Sequence, residues 1–181
     1  KQISIQLGSG KIIANNFKIK TISDFRENDI KNNGQGAPIG SYYHRYILNK
    51  FDKKSIIVNL GGIANFTSIN KRIVFSSDIG PANCIIDDLT NYFFNKKFDK
   101  NGILSSRGKI NNKILNLFKN DIFFKQKIPK SLDRNYFDKY KNRLKKINKY
   151  DALCTATYMS LVGFQKFLNV NKFYFNNIIL T

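Results

Sequence analysis

The sequence predicts an α/β layer fold on three observations. Three strand-like apolar runs follow one another between Ser55 and Asp78, stretches with apolar residues at helical spacing come next, and Lys172–Leu180 has the composition of a further strand. Strands, then helices, then another strand is the order in which an α/β layered domain begins. With 181 residues, of which 42% are hydrophobic, the chain is long enough for one packed domain or for parts of two.

The N-terminal part predicts two strands, a polar loop and a short helix. Apolar residues alternate over Gln2–Leu7, which indicates a half-buried strand, and a second strand is predicted around Ile19–Phe25, after a short helical turn. The loop Glu27–Gly40 holds three glycines and one proline, so no regular structure is expected there. Tyr42–Leu48 has the pattern of a short amphipathic helix.

The middle of the chain predicts an antiparallel meander of three strands. The strands are Ser55–Leu60, Ile63–Ile69 and Arg72–Asp78, joined by turns at Gly61–Gly62 and Asn70–Lys71. The first strand is apolar nearly throughout, which is typical of a buried strand.

Helices are predicted after the meander. A turn at Gly80–Pro81 precedes a helix that Asn83 could cap, and Phe98–Gly102 forms a further turn. Later helices are predicted at Ile110–Phe118, Arg134–Ile147 and Tyr150–Leu168. The last of them has little polar face, so we expect it to be buried against the sheet.

The chain is strongly basic, with 31 Lys and Arg against 12 Asp and Glu and a net charge of +19. Nucleic-acid or anionic-membrane binding would account for this charge, and so would a compositional drift toward lysine on a solvated surface. The lysines are dispersed and no nucleic-acid-binding motif accompanies them, so we favour the second explanation and expect no specific nucleic-acid partner.

Other features of the composition bear on location and redox state. No apolar stretch is long enough to span a membrane and no leader pattern opens the chain, so a cytoplasmic protein with no membrane partner is expected. Cys84 and Cys154 lie far apart in apolar helical stretches, which favours two buried reduced thiols. His44 has no second His or Cys nearby, so we expect a packing or hydrogen-bonding role and no metal site.

Two motifs of the meander suit a reaction site. Gly61 and Gly62 follow a buried strand, where a backbone with φ > 0 could turn its N–H groups toward a phosphate. Taken alone, an ordinary hairpin turn explains the two glycines better, and Asn65 adds little. Asp78 stands at a strand end beside the Gly80–Pro81 turn, where a carboxylate could accept a proton or orient water. Aspartate also commonly starts turns.

A polar connector follows Pro129. Lys130, Ser131 and Arg134 lie close together there and could bind an anionic sugar or a phosphate. A solvated helix entry with Ser131 as the N-cap is the alternative.

Several motifs in fixed order resemble the anhydro-N-acetylmuramic acid kinases of bacterial cell-wall recycling. In chain order these are SIQLGSGKIIA, SDFRENDIKNNGQGAP, YYH, VNLGGIANFT, DIGPANCIIDD, FDKNG and PKSLDRNYF. The resemblance implies the sugar-kinase/actin/heat-shock-ATPase superfamily, with two ribonuclease-H-like lobes and ATP in the cleft between them. Residues 1–52 would be the end of the first lobe of this actin-type ATPase fold and residues 53–181 the start of the second.

The resemblance also implies an activity. Such kinases add water across the 1,6-anhydro bond of anhydro-N-acetylmuramic acid while the γ-phosphate of ATP passes to O6, giving N-acetylmuramic acid 6-phosphate and ADP. The implied cofactors are ATP and Mg²⁺, and the implied partner is a small amino sugar. A homodimer is left open.

Site residues are implied by position in the family's motifs. Asp78 falls on the catalytic base that activates water, and the nucleotide-side hairpin comprises Gly61, Gly62 and Asn65. The positions implied to contact the sugar substrate are Asp24, Arg26, Gln35, Gly36, Asn83, Lys130 and Arg134.

The chain departs from the family's pattern at two motifs. Ala82 replaces a glycine, which would tighten its turn if that turn needs φ > 0, and Leu132, Asp133 and Asn135 replace a threonine, a glycine and a glutamate. The family's N-terminal phosphate loop, its Gly-Ser-His-Gly segment and its Gly-rich adenosine loop have no counterpart, so we expect a chain cut at both ends and inactive alone.

The alternatives are another sugar or acetate kinase of the superfamily and a degenerate, non-catalytic sugar- or nucleotide-binding protein.

Overall fold

A computed structural model describes residues 7–51, 54–70, 73–171 and 175–181. One four-stranded sheet is formed by β1 (Ser55–Leu60), β2 (Ile63–Asn70), β3 (Ile73–Pro81) and β4 (Asn177–Leu180). The strand order is β3-β2-β1-β4, with the first three strands antiparallel and β4 parallel to β1. The predicted α/β class and the predicted meander are therefore confirmed.

Seven helices lie within the described residues. They are α1 (Gly10–Phe17), α2 (Glu27–Lys31), α3 (Ser41–Leu48), α4 (Asn83–Phe94), α5 (Asn112–Lys119), α6 (Asp138–Leu144) and α7 (Lys149–Asn171). Of these, α3 and α7 pack on the sheet. Short 3₁₀ turns lie at Lys100–Gly102, Ser105–Arg107 and Ile122–Lys125. No helix within the described ranges is long and apolar enough to cross a bilayer.

One face of the sheet packs on α7, as its apolar sequence predicts. The rings of Phe66 in β2 and Phe167 in α7 have centroids 4.3 Å apart. At the crossing of β3 with α7, a Cβ on Gly80 would lie 3.4 Å from the Cα of Gly163, so the two backbones approach closely. The φ of +156° at Gly80, together with this close approach, favours glycine at that position.

A larger apolar core lies between the helices. Phe118 of α5 packs edge-on against Phe124 and Tyr140, with ring centroids 5.1 and 5.4 Å apart. Phe137, Leu153 and Met159 are fully buried in the same cluster. Aromatic pairs in this geometry add to the stabilisation that burial of their area provides.

The N-terminal predictions were partly wrong. No strand forms over residues 19–25, where Ile19, Ile22 and Phe25 are exposed, because no strand within the described ranges lies beside this segment to pair with it. The loop predicted over residues 27–40 contains α2. The predicted Gln2–Leu7 strand lies almost wholly outside the described residues. Two other predicted features fall partly outside them: the Asn70–Lys71 turn, at Lys71, and the start of the last strand, at residues 172–174.

Element boundaries after the meander also differ from the predictions. β3 runs on through Gly80 and Pro81, so no turn separates Asp78 from the end of the strand. Ala82, not Asn83, is the N-cap residue of α4, and the side-chain amide of Asn83 donates to the carbonyl of Leu60 at 2.6 Å. Helix α6 begins only at Asp138, so Ser131 caps no helix.

The lobe boundary predicted at residues 52 and 53 falls outside the described residues. Just before it, α3 packs against β1, β2 and β3 on the face opposite α7. His44 of α3 is buried, and its Nδ1 lies 2.7 Å from Thr67 Oγ1 of β2. The packing and hydrogen-bonding role predicted for this histidine is confirmed.

Candidate active site

The face of the sheet toward α3 carries a row of polar side chains. Asn59, Asn65 and Asp78 are successive cross-strand partners on β1, β2 and β3, so their side chains share one face. A β-bulge at Ala64 and Asn65 sets this register, because it leaves Ile79 without a partner and returns Ala64 to Gly80. Two residues predicted from separate motifs, Asn65 and Asp78, are thus brought together.

Asp78 is the buried carboxylate of this row, with 7% of its surface exposed. Its Oδ2 accepts a hydrogen bond of 2.7 Å from the backbone N–H of Leu132. Burial raises the pKa of the Asp78 carboxyl above its ordinary value, while the Leu132 N–H and the charge of Arg26 oppose the increase. A carboxylate with a raised pKa holds a proton more readily than an exposed aspartate, which suits a general base.

The connector of residues 129–134 runs along β3 at Asp78. The backbone N–H of Asp78 donates to the carbonyl of Lys130 at 2.9 Å, and the Ser131 hydroxyl reaches Oε1 of Gln35 at 3.4 Å. Gln35 belongs to the GQGAP loop, so the loop, the connector and β3 meet at one place. The structure therefore brings together three motifs that lie far apart in the sequence.

The GQGAP loop folds back on α2. Gly36 has φ of +67°, its N–H donates to Asp29 Oδ2 at 2.6 Å, and a Cβ there would lie 3.2 Å from the Cβ of Arg26. Arg26 in turn is close enough to influence the pKa of Asp78. Asp24 has φ of +63° and accepts a hydrogen bond from its neighbour Ser23.

A cavity of about 790 Å³ opens between this loop and β3. Its wall includes Phe25, Gln35, Gly36, Ser76 and Pro129 but not Asp78 itself. Ser76 of this wall lies two residues before Asp78 on the same face of β3. The volume of the cavity falls within the roughly 300–1,000 Å³ of small-molecule sites.

The Gly61–Gly62 turn is an ordinary hairpin turn between β1 and β2. Neither glycine has positive φ, and a Cβ on Gly62 would make an ordinary contact of 3.6 Å with Cys84. The turn is fastened through its carbonyls, because Gly61 accepts from the N–H of Asn83 and Gly62 from those of Ala82 and Cys84, each at 3.0 Å. Close approach to a phosphate remains a prediction for this hairpin.

Ala82 is compatible with its position. Its φ is −121°, so the Cβ that replaces the family's glycine meets no left-handed backbone.

Lys130 and Arg134, predicted to contact the substrate, have their head groups on protein atoms. The Lys130 ammonium donates to the carbonyl of Phe123 at 2.7 Å, and Arg134 pairs with Asp88 at 2.8 Å. The side-chain amide of Asn83 likewise donates to the carbonyl of Leu60. All three side chains thus contact neighbouring protein atoms.

Sequence reasoning missed three participants. The Leu132 N–H and the Ser77 hydroxyl carry no pattern that marks them, because their roles arise from the pairing of the connector with β3. Asn59 had one available signal, a polar residue inside an otherwise apolar strand just before the double glycine.

Comparisons with known proteins agree in pointing to one family. The profile of the anhydro-N-acetylmuramic acid kinase family matches residues 1–165. An anhydro-N-acetylmuramic acid kinase of Clostridioides difficile (strain 630) is 37% identical over 163 residues, which cover 85% of this chain and 43% of the relative. Relatives of the same name match from Legionella pneumophila (strain Paris), 39% identical over 74% of this chain and 37% of the relative, and from Caldanaerobacter subterraneus, 37% identical over 91% and 46%. The chain thus spans less than half the length of these relatives.

Proposed function

This chain belongs to the anhydro-N-acetylmuramic acid kinase family, and we propose from that premise that it supplies the base and part of the sugar site of an ATP-dependent kinase. The proposed substrate is anhydro-N-acetylmuramic acid, and the proposed products are N-acetylmuramic acid 6-phosphate and ADP. Two ribonuclease-H-like lobes, a cytoplasmic location and a role in peptidoglycan recycling belong to the same proposal.

Asp78 carries the proposal. In the reaction a water oxygen bonds to the anomeric carbon, the bond from that carbon to O6 breaks, and O6 takes the γ-phosphoryl group of ATP. Asp78 accepts the proton that the water loses. One oxygen of the carboxylate is held by Leu132, and among the described residues none donates to Oδ1, so we assign Oδ1 to the water.

The neighbouring residues position the sugar in this proposal. Gln35 and Gly36 line the cavity, and Arg26 and Asp24 belong to the segment that leads into it. Asn65 lies beside Asp78, and with Gly61 and Gly62 it forms the hairpin proposed to face ATP.

Mg²⁺ accompanies ATP in this family's chemistry. The described residues bring together no group of three or more His, Cys, Asp or Glu side chains suited to hold a metal ion. We therefore assign no step to the ion.

The test is a chimera of the Clostridioides difficile relative in which this chain replaces the matching segment, so that a complete kinase surrounds Asp78. It is incubated with the anhydro sugar, Mg-ATP and ¹⁸O-labelled water. We expect one ¹⁸O at the anomeric hydroxyl and the phosphate at O6, measured by mass spectrometry. The proposal would be contradicted by ¹⁸O in the phosphate, or by ADP release that does not depend on the presence of the sugar.

A degenerate binding protein is the second candidate. It is favoured by the engagement of Lys130 and Arg134 with protein atoms and by Leu132 and Asp133 in the connector. Sugar binding by the chimera in calorimetry without turnover would identify it.

A further inference from the structure

We propose that Lys130 is a positioning residue for Asp78, whose ammonium group fastens the connector so that the Leu132 N–H meets the carboxylate. Only the catalytic consequence of this inference rests on the proposed function. The positioning itself concerns contacts within this chain.

The connector is paired with β3 at Ser77 and at Asp78. The Lys130 N–H donates to Ser77 Oγ at 3.0 Å, and the Lys130 carbonyl accepts from the N–H of Asp78 at 2.9 Å. Two residues further on, the Leu132 N–H donates to Asp78 Oδ2 at 2.7 Å. The last bond forms only when the connector keeps this course, because a backbone N–H cannot move independently of its chain.

The Lys130 side chain anchors the connector from its other side. Its Nζ donates to the carbonyls of Phe123 at 2.7 Å and Gln126 at 3.4 Å, and it lies 3.9 Å from the centroid of the Phe123 ring. The residue is 9% exposed. These acceptors belong to the 122–125 turn and the residue after it, so one side chain ties the connector to the helical layer.

The arrangement is unusual for a lysine because none of the ion pairs between described residues includes Lys130. Burial alone lowers the pKa of the Lys130 ammonium group, to about 8. A buried ammonium group that only carbonyls and an aromatic ring satisfy has a desolvation cost, which a purely apolar side chain would avoid. A function in holding the connector accounts for its presence.

Loss of this anchor has a defined effect on Asp78. Without the Leu132 N–H, one of the two influences that lower the pKa of the carboxyl disappears, while burial and the opposing charge of Arg26 remain. The pKa of Asp78 then rises further above its ordinary value. In the proposed reaction, the acid limb of the kcat profile moves to higher pH with it, while KM for the sugar changes less.

The experiment compares Lys130→Met with the parent chain by NMR. Met keeps the length and the apolar stem of lysine and removes the donor. We expect the Leu132 amide to exchange roughly fivefold faster, as loss of one hydrogen bond of about 1 kcal/mol implies. We also expect the ¹³Cγ titration of Asp78 to shift to higher pH.

Lys127→Met is the matched control. It removes the same charge from the same stretch of chain. Because Lys127 is exposed, neither the Leu132 exchange rate nor the Asp78 titration should change. Ser77→Ala, which removes the hydroxyl bonded to the Lys130 backbone, should act in the same direction as Lys130→Met. Should Lys130→Met not fold, Lys130→Gln is measured in the same way.

Unchanged Leu132 exchange and an unchanged Asp78 titration in a folded Lys130 variant would overturn the inference. Equal shifts in Lys127→Met would also overturn it, because they would show a general effect of charge. Neither measurement requires turnover, so an inactive chimera with a shifted Asp78 titration would count against the proposed function alone.

Discussion

At the scale of single residues, the properties of Asp78 arise from its place on the sheet. The cross-strand register sets it beside Asn65, burial raises the pKa of its carboxyl, and one backbone N–H holds one of its oxygens. An exposed aspartate has none of these features and is a weaker base. The chemistry assigned to this residue therefore depends on the sheet as much as on the side chain.

Asp78→Asn in the chimera should lower turnover by about 10²–10⁴-fold, the usual contribution of a general base, while sugar binding survives. Asparagine keeps the shape and can still accept from Leu132, but it cannot take a proton. In the unmutated chimera, activity should fall as pH decreases through the raised pKa of Asp78, because protonation removes the base. Stopped-flow or coupled assays of ADP release across pH measure both effects.

Asp87→Asn is the control for this change. Asp87 belongs to the same DIGPANCIIDD motif as Asp78 but lies in α4, and it is only half-buried. Turnover near the parent rate in Asp78→Asn, or its loss in Asp87→Asn, would show that the base is assigned to the wrong carboxylate.

At the scale of elements, the meander could be predicted from local sequence, whereas the course of the connector depends on contacts between distant residues. Each strand of the meander carries its own apolar pattern and is joined to the next by a short turn, so local sequence was sufficient. The connector has no such pattern, and its bond from Ser77 Oγ to the Lys130 carbonyl spans 53 residues. The strand predicted around residues 19–25 does not form, because a strand also needs a neighbouring strand to pair with.

The crossings of α7 provide a pair of opposite predictions. A Cβ on Gly163 would make ordinary contacts, the nearest at 3.5 Å to the carbonyl of Ile79, so Gly163→Ala should stabilise the chain by about 0.5–1 kcal/mol through helix propensity. A Cβ on Gly108 would overlap the backbone carbonyl of Tyr150 at the start of α7. Gly108→Ala should therefore destabilise it by about 1–3 kcal/mol.

Urea unfolding followed by circular dichroism measures both changes. Gly163→Val, with a branched side chain at the same crossing, is the control that should reverse the gain. If the two alanine variants shift stability in the same direction, the close packing of α7 described here is wrong.

A buried carboxylate joins α5, α6 and the 122–125 turn. The Asp121 side chain is fully buried and accepts from the Tyr140 hydroxyl, the Phe123 N–H and the Lys139 ammonium at 2.6, 2.9 and 2.6 Å. Burial alone would raise the pKa of Asp121, but the hydrogen bonds from Lys139 and Tyr140 outweigh it and lower the pKa. Burial is the main cause that raises the pKa of Tyr136, to about 12, and the hydrogen bond to the Asp121 carboxylate is the next.

Asp121→Asn should destabilise the chain at pH 7 by on the order of 3 kcal/mol, because it removes a charge that several donors share. Since the folded-state pKa is lowered, this contribution is present above the unfolded value of about 4 and is lost as pH falls through the folded value. The difference between parent and variant should therefore shrink on acidification, as urea unfolding at several pH values would measure.

Asp133→Asn serves as the control for Asp121. Asp133 also accepts a backbone N–H, from Asn135, but is exposed, so its loss should change stability little at any pH. A destabilisation of Asp121→Asn that stays constant down to pH 3 would mean that packing, not charge, explains it.

At the scale of the whole molecule, the sheet separates two environments. Its apolar face and α7 adjoin the core, while its opposite face carries the polar row under α3 and the GQGAP loop. The division could be predicted for the apolar side, because a helix without a polar face must be buried. The polar side could not be predicted, because it depends on the cross-strand register, which a single β-bulge sets.

The net charge of +19 is also a property of the whole molecule, and the structure disperses it. Lys141 and Arg134 pair with Asp88. Lys50 and Lys145 lie 4.5 and 4.6 Å from the ring centroids of Tyr46 and Tyr92. These two rings are covered by lysines, so they offer bases no open face on which to stack.

Binding to DNA should therefore be weak, independent of sequence and strongly dependent on salt. Fluorescence anisotropy with two duplexes of equal length and unrelated sequence should give equal affinities at 50 mM salt, because only phosphates are contacted. Both affinities should fall by at least about tenfold at 200 mM, since each neutralised phosphate releases a counterion. If one duplex is bound much more tightly than the other at physiological salt, the basic surface reads sequence and the charge is not incidental.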